Sequence, residues 1–580
     1  MNDTPANAVA AALSDSTANG RARRAALAAT RMDHRRPTSL VEYQSSGELL
    51  ILDQFRSMGD EERALELARQ LSGQLRCSVF IAGLAPTGAT ERVDGVLAAK
   101  GIKMAVGRLV ALTGHLGRFE ATIGTGKGEA NLARHLGLGR GHFDLVLDLS
   151  APPHFRQDVA PLGYYAPQDN AQALERALAE LPDMVGQFEK VKFFNYDADI
   201  CAHGRSGLSG CTRCIAACPT QAIASIGEQI EVDPYLCQGA GSCATACPTG
   251  AITYAYPAAS DLQNAFRTLL RHYREAGGRE PCVLFHDAED GRQLLERIAP
   301  GLPEHVIPLE VEEIGSVGLD TCLAALAYGA GYVVLLATAT VAPSVRGEVA
   351  MQLEFGAAIL EGMGYRRERL QLLGAGDEAV VAETLATLSS EQAQPPAGFA
   401  GLDEKRTVIR LAVDHLYAHA PVKGPLVDLP GGAPFGEIRV DRQGCTLCMA
   451  CVSVCPHSAL SAGGELPQLL FDEQNCVQCG LCATGCPEKV IELAPRYVYD
   501  PELRKATRIL NEEEPFCCVA CGKPFATQSM MNKLQEKLKG HWMFQKPDAL
   551  RRLRMCEDCR VKDMFTHEEG GIDVYKGPDR

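Results

Sequence analysis

Cys445-Thr-Leu-Cys448-Met-Ala-Cys451-Val-Ser-Val-Cys455-Pro456 and, twenty residues on, Cys476-Val-Gln-Cys479-Gly-Leu-Cys482-Ala-Thr-Gly-Cys486-Pro487 repeat one pattern, C-x₂-C-x₂-C-x₃-C-P. Three thiols spaced by three wrap a cubane in a tight loop. The fourth, set off by a proline-terminated turn, reaches the neighbouring cluster. On that crossed rule Cys445, Cys448, Cys451 and Cys486 hold one [4Fe–4S] cluster, and Cys476, Cys479, Cys482 and Cys455 hold another. This is not the spacing of zinc knuckles.

The double run is that of bacterial two-cluster ferredoxins, and a worn copy lies upstream. Cys211-Thr-Arg-Cys214-Ile-Ala-Ala-Cys218-Pro219 supplies three ligands, with Leu208 where a first cysteine is expected. Cys201, in YDADICAHGRSGLSGC, is the substitute, looped back by its Gly- and Ser-rich insert; its alternative is a buried free thiol. The other half reads Cys237-Gln-Gly-Ala240-Gly-Ser-Cys243-Ala-Thr-Ala-Cys247-Pro248, with Ala240 in a ligand position. Crossing assigns Cys201, Cys211, Cys214 and Cys247 to a third complete cluster, and only Cys218, Cys237 and Cys243 to a fourth. Three thiolates suit a [3Fe–4S] centre or a [4Fe–4S] centre with a non-cysteine ligand; loss of the cluster is the alternative.

Near the C-terminus, Cys518-Val-Ala-Cys521 and Cys556-Glu-Asp-Cys559 form two C-x₂-C knuckles around the helix-like QSMMNKLQEKLKG. Four thiolates so paired read as a closed tetrahedral zinc site, with a fifth cubane as the rival. Cys517 beside Cys518 leaves the register of the first knuckle open. Cys77, Cys282 and Cys322 sit in apolar runs and read as core.

Eighteen of the 23 cysteines fall in these tight groups, so metal thiolates are favoured over disulfides. A formal charge of −15 argues against nucleic acid and anionic membranes, and fits a redox protein partner of complementary charge. No run is apolar enough to span a bilayer and no secretion signal is legible, so a cytoplasmic location is expected.

The chain of 580 residues reads as multidomain, α/β plus α+β. Residues 1–44 read as a flexible leader. An α/β domain over 45–186 is signalled by GELLIL, RCSVFIAGL and FDLVLDL alternating with helical stretches. The first ferredoxin-like dicluster cassette spans 187–257. A second α/β domain covers 278–390, with strands at PCVLFH, HVIPLEV, YVVLLA and RLQLL and helices near Arg292–Ile298, Asp320–Tyr328 and Gly347–Met363. A linker at 391–433 leads to the second cassette, 434–500, and the zinc-knuckle segment occupies 510–580. GTGKG at 124–128 matches neither a Walker loop nor G-x-G-x-x-G and reads as a plain loop. His203, His286 and His457 read as satisfied or solvated side chains, and no catalytic residues are assigned.

The stretches YDADICAHGRSGLSGCTRCIAACPTQAI and YLCQGAGSCATACPTGAITYAYP, with the second dicluster run and EPFCCVACGKPF, resemble the large proteobacterial 4Fe–4S-binding proteins encoded beside molybdenum- or tungsten-dependent formate dehydrogenases. The likeness runs from about residue 45 to the end, and the part at 278–390 is similar to the small delta subunit of methyl-viologen-reducing hydrogenases. It implies electron transfer to or from an oxidoreductase, for which such a formate dehydrogenase is the candidate; Ala240 departs from the pattern, where cysteine is expected. The expectation is a non-catalytic electron-transfer component. The alternatives are a flavin- or nucleotide-dependent reductase, and a maturation factor for a neighbouring metalloenzyme.

Overall fold

Leu49, Leu50, Ile51 and Leu52 are an unbroken apolar run, as a parallel strand covered on both faces requires. A computed structural model describes residues 6–30, 36, 38–54, 60–83, 97–99, 102–126, 128–376, 378–388, 394–464, 466–545 and 547–566. In it the strand Glu48–Gln54 lies between parallel neighbours Arg76–Ala82 and Leu145–Asp148. Leu49 and Ile51 enter one core with Val79 and Leu147, while Leu50 and Leu52 enter the opposite one with Phe80 and Val146. These strands and the helix Asp60–Leu71 match the sequence reading of the first α/β domain. GTGKG is the turn between Arg118–Thr125 and Gly128–Asn131, with Lys127 outside the described residues.

In the second α/β domain all four expected strands form one parallel sheet, in the order Val306–Val311, Cys282–Asp287, Tyr332–Ala337, Leu370–Gly374. The three expected helices are Asp290–Ile298, Leu319–Ala327 and Pro343–Gly362. Cys282 and Cys322 are wholly buried in this domain, and Cys77 packs against the first core.

Two stretches expected to be unstructured are not. Within the stretch read as a leader, Ala6–Ala12 and Ala18–Ala29 are helices, and residues 1–5, 31–35 and 37 lie outside the described set. Arg23 is fully buried and donates to the carbonyls of Pro303, Val306 and Ser14, while Glu304 accepts from Ser14 and Ser16. The Arg23 guanidinium, polar enough to suggest a solvated stretch, meets carbonyls some 280 positions away. The boundaries at 44 and 186 also fall inside or beside paired strands, Leu40–Ser45 and Gly186–Val191.

The supposed linker contains the helix Lys405–Ala418, whose Val408, Ile409, Ala412, Val413 and Leu416 recur on one face and enter the core of the second α/β domain.

The cassettes share one plan. The first pairs Phe194–Tyr196 with Ile252–Tyr254 around the hairpin Ile223–Ile226 and Gln229–Val232. The second pairs Gly436–Val440 with Ile491–Val498 around Leu460–Ala462 and Gln468–Phe471. Each carries two short helices, Arg213–Ala217 and Ser242–Ala246 in one, Ala450–Ser453 and Leu481–Thr484 in the other. Among the described residues, no helix is long and apolar enough to cross a membrane.

Candidate iron–sulfur centres

The backbone of the cysteine loops carries the site. In Cys445–Cys451 the residues Leu447 and Met449 are left-handed, at φ 51° and 60°; Gln478 and Gly480 repeat this in Cys476–Cys482, at 53° and 82°. For side chains other than glycine such φ values cost about 1 to 3 kcal/mol each and persist where the surroundings over-determine them. Alternation of this kind turns successive N–H groups to one side, making a concavity for an anion such as a thiolate cluster. The proline turns repeat too: Gln221, Gly250, Ser458 and Lys489, each three residues after a cysteine, are all left-handed.

These loops bring together three sets of four thiols. Cys445, Cys448, Cys451 and Cys486 line one hollow. Cys455, Cys476, Cys479 and Cys482 line a second. Cys201, Cys211, Cys214 and Cys247 line a third. The linings are otherwise largely apolar. In the third hollow Cys201 arrives by way of the hairpin Gly204–Arg205 and Leu208–Ser209, which occupies the place of an ordinary first ligand.

The thiols are poised for a cation. Burial, followed by the charges of Cys445, Cys448 and Cys486, pushes Cys451 up to about 12; burial and Cys247, Cys211 and Cys201 do the same for Cys214. Four thiolates in such a hollow repel one another unless positive metal compensates them, so loading releases protons. Hydrogen bonds to sulfur are already in place: Gln478 Nε2 donates to Cys476 Sγ at 3.3 Å and the Ala222 N–H to Cys218 Sγ at 3.3 Å.

Cys218, Cys237 and Cys243 also converge. Burial first, then charge on Cys237 and Cys218, raises Cys243. Around Ala240 the ligand loop keeps its conformation, with Gly239 at φ 80° and Gly241 at φ 77°, the two positions that are left-handed in the second cassette. The loop before Cys214 differs, since Thr212 sits at φ −123°. In the sequence, the glycines flanking Ala240 are the signal that this loop folds as the others do.

At the C-terminus, Cys518, Cys521, Cys556 and Cys559 place their sulfurs within 4.8 Å of one another, the one such group of ligand atoms among the described residues. The Cys521 and Cys556 sulfurs are 3.7 Å apart. Tetrahedral zinc with Zn–S bonds of about 2.3 Å sets sulfurs about 3.8 Å apart. The register is Cys518, since Cys517 is exposed with its thiol toward the Pro515 carbonyl. Burial raises Cys518, but N–H groups of Cys556, Ala520 and Cys521 outweigh it and bring the thiol down to about 6; hydrogen bonds with Cys521 and Cys556 hold Cys559 up at about 12. The segment's buried cluster is Cys518, Met555 and Cys556, two of them ligand candidates. Residues 567–580 lie outside the described set.

The histidines are as expected in two cases. His203 is buried, with Nδ1 on the Cys211 carbonyl and Nε2 on Ser225; His286 Nδ1 meets the Asp287 carbonyl. His457 differs. It lines the hollow of Cys476, burial and Arg406 push it down to about 4, and its Nε2 finds no hydrogen-bond partner.

The profile of the 4Fe-4S dicluster domain family matches residues 189–251 and again residues 444–490. Both cassettes are 4Fe-4S ferredoxin-like. The first match contains the hollow of Cys201, Cys211, Cys214 and Cys247 and the second contains the thiols of the other two, so the residues present fit 4Fe–4S clusters, whose chemistry is electron transport. No curated protein matches the chain.

Proposed function

We propose that this chain is an electron-transfer component of an oxidoreductase system, moving one electron at a time between a redox partner and its own clusters. The observation that carries the reading is the convergence of the crossed cysteine sets, three of them complete, within two dicluster cassettes. In this reading Cys445, Cys448, Cys451 and Cys486, then Cys455, Cys476, Cys479 and Cys482, then Cys201, Cys211, Cys214 and Cys247 hold [4Fe–4S] clusters. Cys218, Cys237 and Cys243 hold a three-iron or otherwise incomplete one. Cys448 is exposed, which makes its cluster the natural exit toward a partner. The acidic chain suits a partner with a complementary basic face. A formate dehydrogenase as partner follows from the sequence resemblance, and a cytoplasmic setting from the want of a legible secretion signal or apolar span in the sequence; both belong to the proposal.

Cys518, Cys521, Cys556 and Cys559 take a structural zinc in this reading. Their segment docks on the second cassette: Thr527 Oγ1 donates to the Thr446 carbonyl at 2.8 Å and Lys533 Nζ to the Gly444 carbonyl at 3.0 Å. With so small a core, the segment depends on its metal for folding.

Anaerobic metal analysis tests both parts. Three four-iron clusters and one three-iron cluster give about 15 iron atoms per chain, with about one zinc. Protein lacking iron and acid-labile sulfide after anaerobic reconstitution would overturn the electron-transfer reading. Removing zinc with a chelator is expected to open residues beyond about 515 to proteolysis while the iron stays; a fifth reducible iron centre in place of zinc would decide for the rival cubane.

A further inference from the structure

The cassettes are separated in sequence by an entire α/β domain, yet they touch at their ligand loops. A Cβ on Gly210, next to Cys211, would lie 2.6 Å from Leu481 Cγ, next to Cys482. One on Gly485 would lie 3.1 Å from Leu208 Cδ1. Arg205, from the hairpin that displaces the ordinary first ligand, donates from Nη1 to the Cys455 carbonyl at 3.2 Å. Leu208, which stands where a regular run has cysteine, lies in this hairpin and packs against the second cassette.

Arg406 fastens the same junction from its other side. Its Nη1 donates to the carbonyls of Pro248 at 3.3 Å and Pro434 at 2.9 Å, and its Nη2 to those of Gln474 at 3.2 Å and Cys476 at 3.0 Å. The guanidinium stacks 4.6 Å from the centre of the Phe435 ring. One cation thus joins the turn after Cys247, in the first cassette, to Cys476 in the second. Lys405, its neighbour, donates to the carbonyls of Ala244 and Cys247 at 2.9 and 3.0 Å. Burial lowers Arg406 to about 10, which leaves it charged at neutral pH. Across the interface Cys211 lies within electrostatic reach of Cys479.

We infer that the two cassettes meet through their inner clusters, those of Cys201, Cys211, Cys214 and Cys247 and of Cys455, Cys476, Cys479 and Cys482, and that Arg406 is the positioning residue of this junction. This rests on the electron-transfer reading. Clusters held by these two cysteine sets would supply one-electron exchange, one passing from 1+ to 2+ as the other passed from 2+ to 1+. A fixed cation beside both favours the more negative reduced state of each and so raises both potentials. The order of the chain is then the Cys237 centre, the Cys214 cluster, the Cys479 cluster and the Cys451 cluster.

The test is a redox titration followed by electron paramagnetic resonance on the full-length, cluster-loaded protein, each signal being assigned by the ligand variant that removes it. Arg406→Gln is expected to lower both inner potentials by at least tenfold in the reduced-to-oxidised ratio, about 59 mV for one electron. The outer two should move much less, and Arg406→Lys, which keeps the charge, should stay near wild type. Unmoved inner potentials in a glutamine variant with full iron would overturn the inference, as would an equal drop in the lysine variant. If the glutamine variant does not load, the lysine variant and a second measurement decide: in fully reduced wild type, removing the Cys479 cluster by Cys479→Ser should change the line shape of the Cys214 cluster. An unaltered line shape there would also overturn the inference. Loss of all clusters in the wild type would instead sink the underlying reading.

Discussion

Cys451→Ala is expected to remove about four iron atoms per chain and the reduced-state signal of one cluster, because a cubane needs a thiolate at each iron. Cys451 is 8% exposed and packs among Ile438, Leu447 and Phe471, so no side chain from solvent can take its place readily. The loss should spread. Cys486 closes the same hollow from the second cysteine run, and Cys455, only four residues after Cys451, closes the neighbouring one. Removing one cluster loosens both loops, and the left-handed Leu447 and Met449 lose what holds them in a costly conformation. The neighbouring Cys479 cluster should therefore become more oxygen-sensitive, with a broadened signal. Iron and sulfide analysis beside paramagnetic resonance reads this directly. Full iron with an unchanged spectrum would refute the ligand assignment.

Ala240→Cys is expected to act in the opposite direction, adding metal. Gly239 and Gly241 already place this loop in the geometry of a cluster loop, and it is pinned on both sides: a Cβ on Gly239 would lie 2.8 Å from the Phe193 ring and one on Gly241 2.5 Å from the Ser316 nitrogen. The variant thus adds one sulfur to a backbone that is already formed. Wild type should show a paramagnetic signal when oxidised, from a three-iron centre, and easier reduction than its neighbours, since three thiolates donate less negative charge than four. The cysteine variant should gain about one iron, lose the oxidised signal and show a reduced-state [4Fe–4S] signal. A wild type already holding four complete cubanes would show that another ligand fills the corner, and the prediction would fail.

Local chemistry decided most of what the sequence could reveal. A cubane takes its ligands from one short loop and one proline turn, so Cys445 to Cys486 declare it through spacing alone. The strands of both α/β domains were legible for a similar reason: runs such as Leu49–Leu52 and Val333–Leu336 are apolar without a break because each is covered on two faces. What spacing could not carry was the partner of a polar side chain. Arg23 and the helix Lys405–Ala418 looked like leader and linker because their hydrogen-bonding and packing partners are distant in sequence.

By itself, then, the sequence pointed to 4Fe–4S ferredoxin-like cassettes, and it carries the spacing on which the crossed assignment is proposed, the gap at Ala240 and the C-terminal cysteine pairs. The tertiary structure alone decided that Cys518 and not Cys517 joins those pairs, that the Ala240 loop retains cluster-loop geometry, and that Leu208, Leu481 and Arg406 bring two remote cassettes together. The physical reason is range. Ligand spacing and backbone sterics act over a few residues, whereas the field of a cation between two clusters depends on distances that only the folded chain sets.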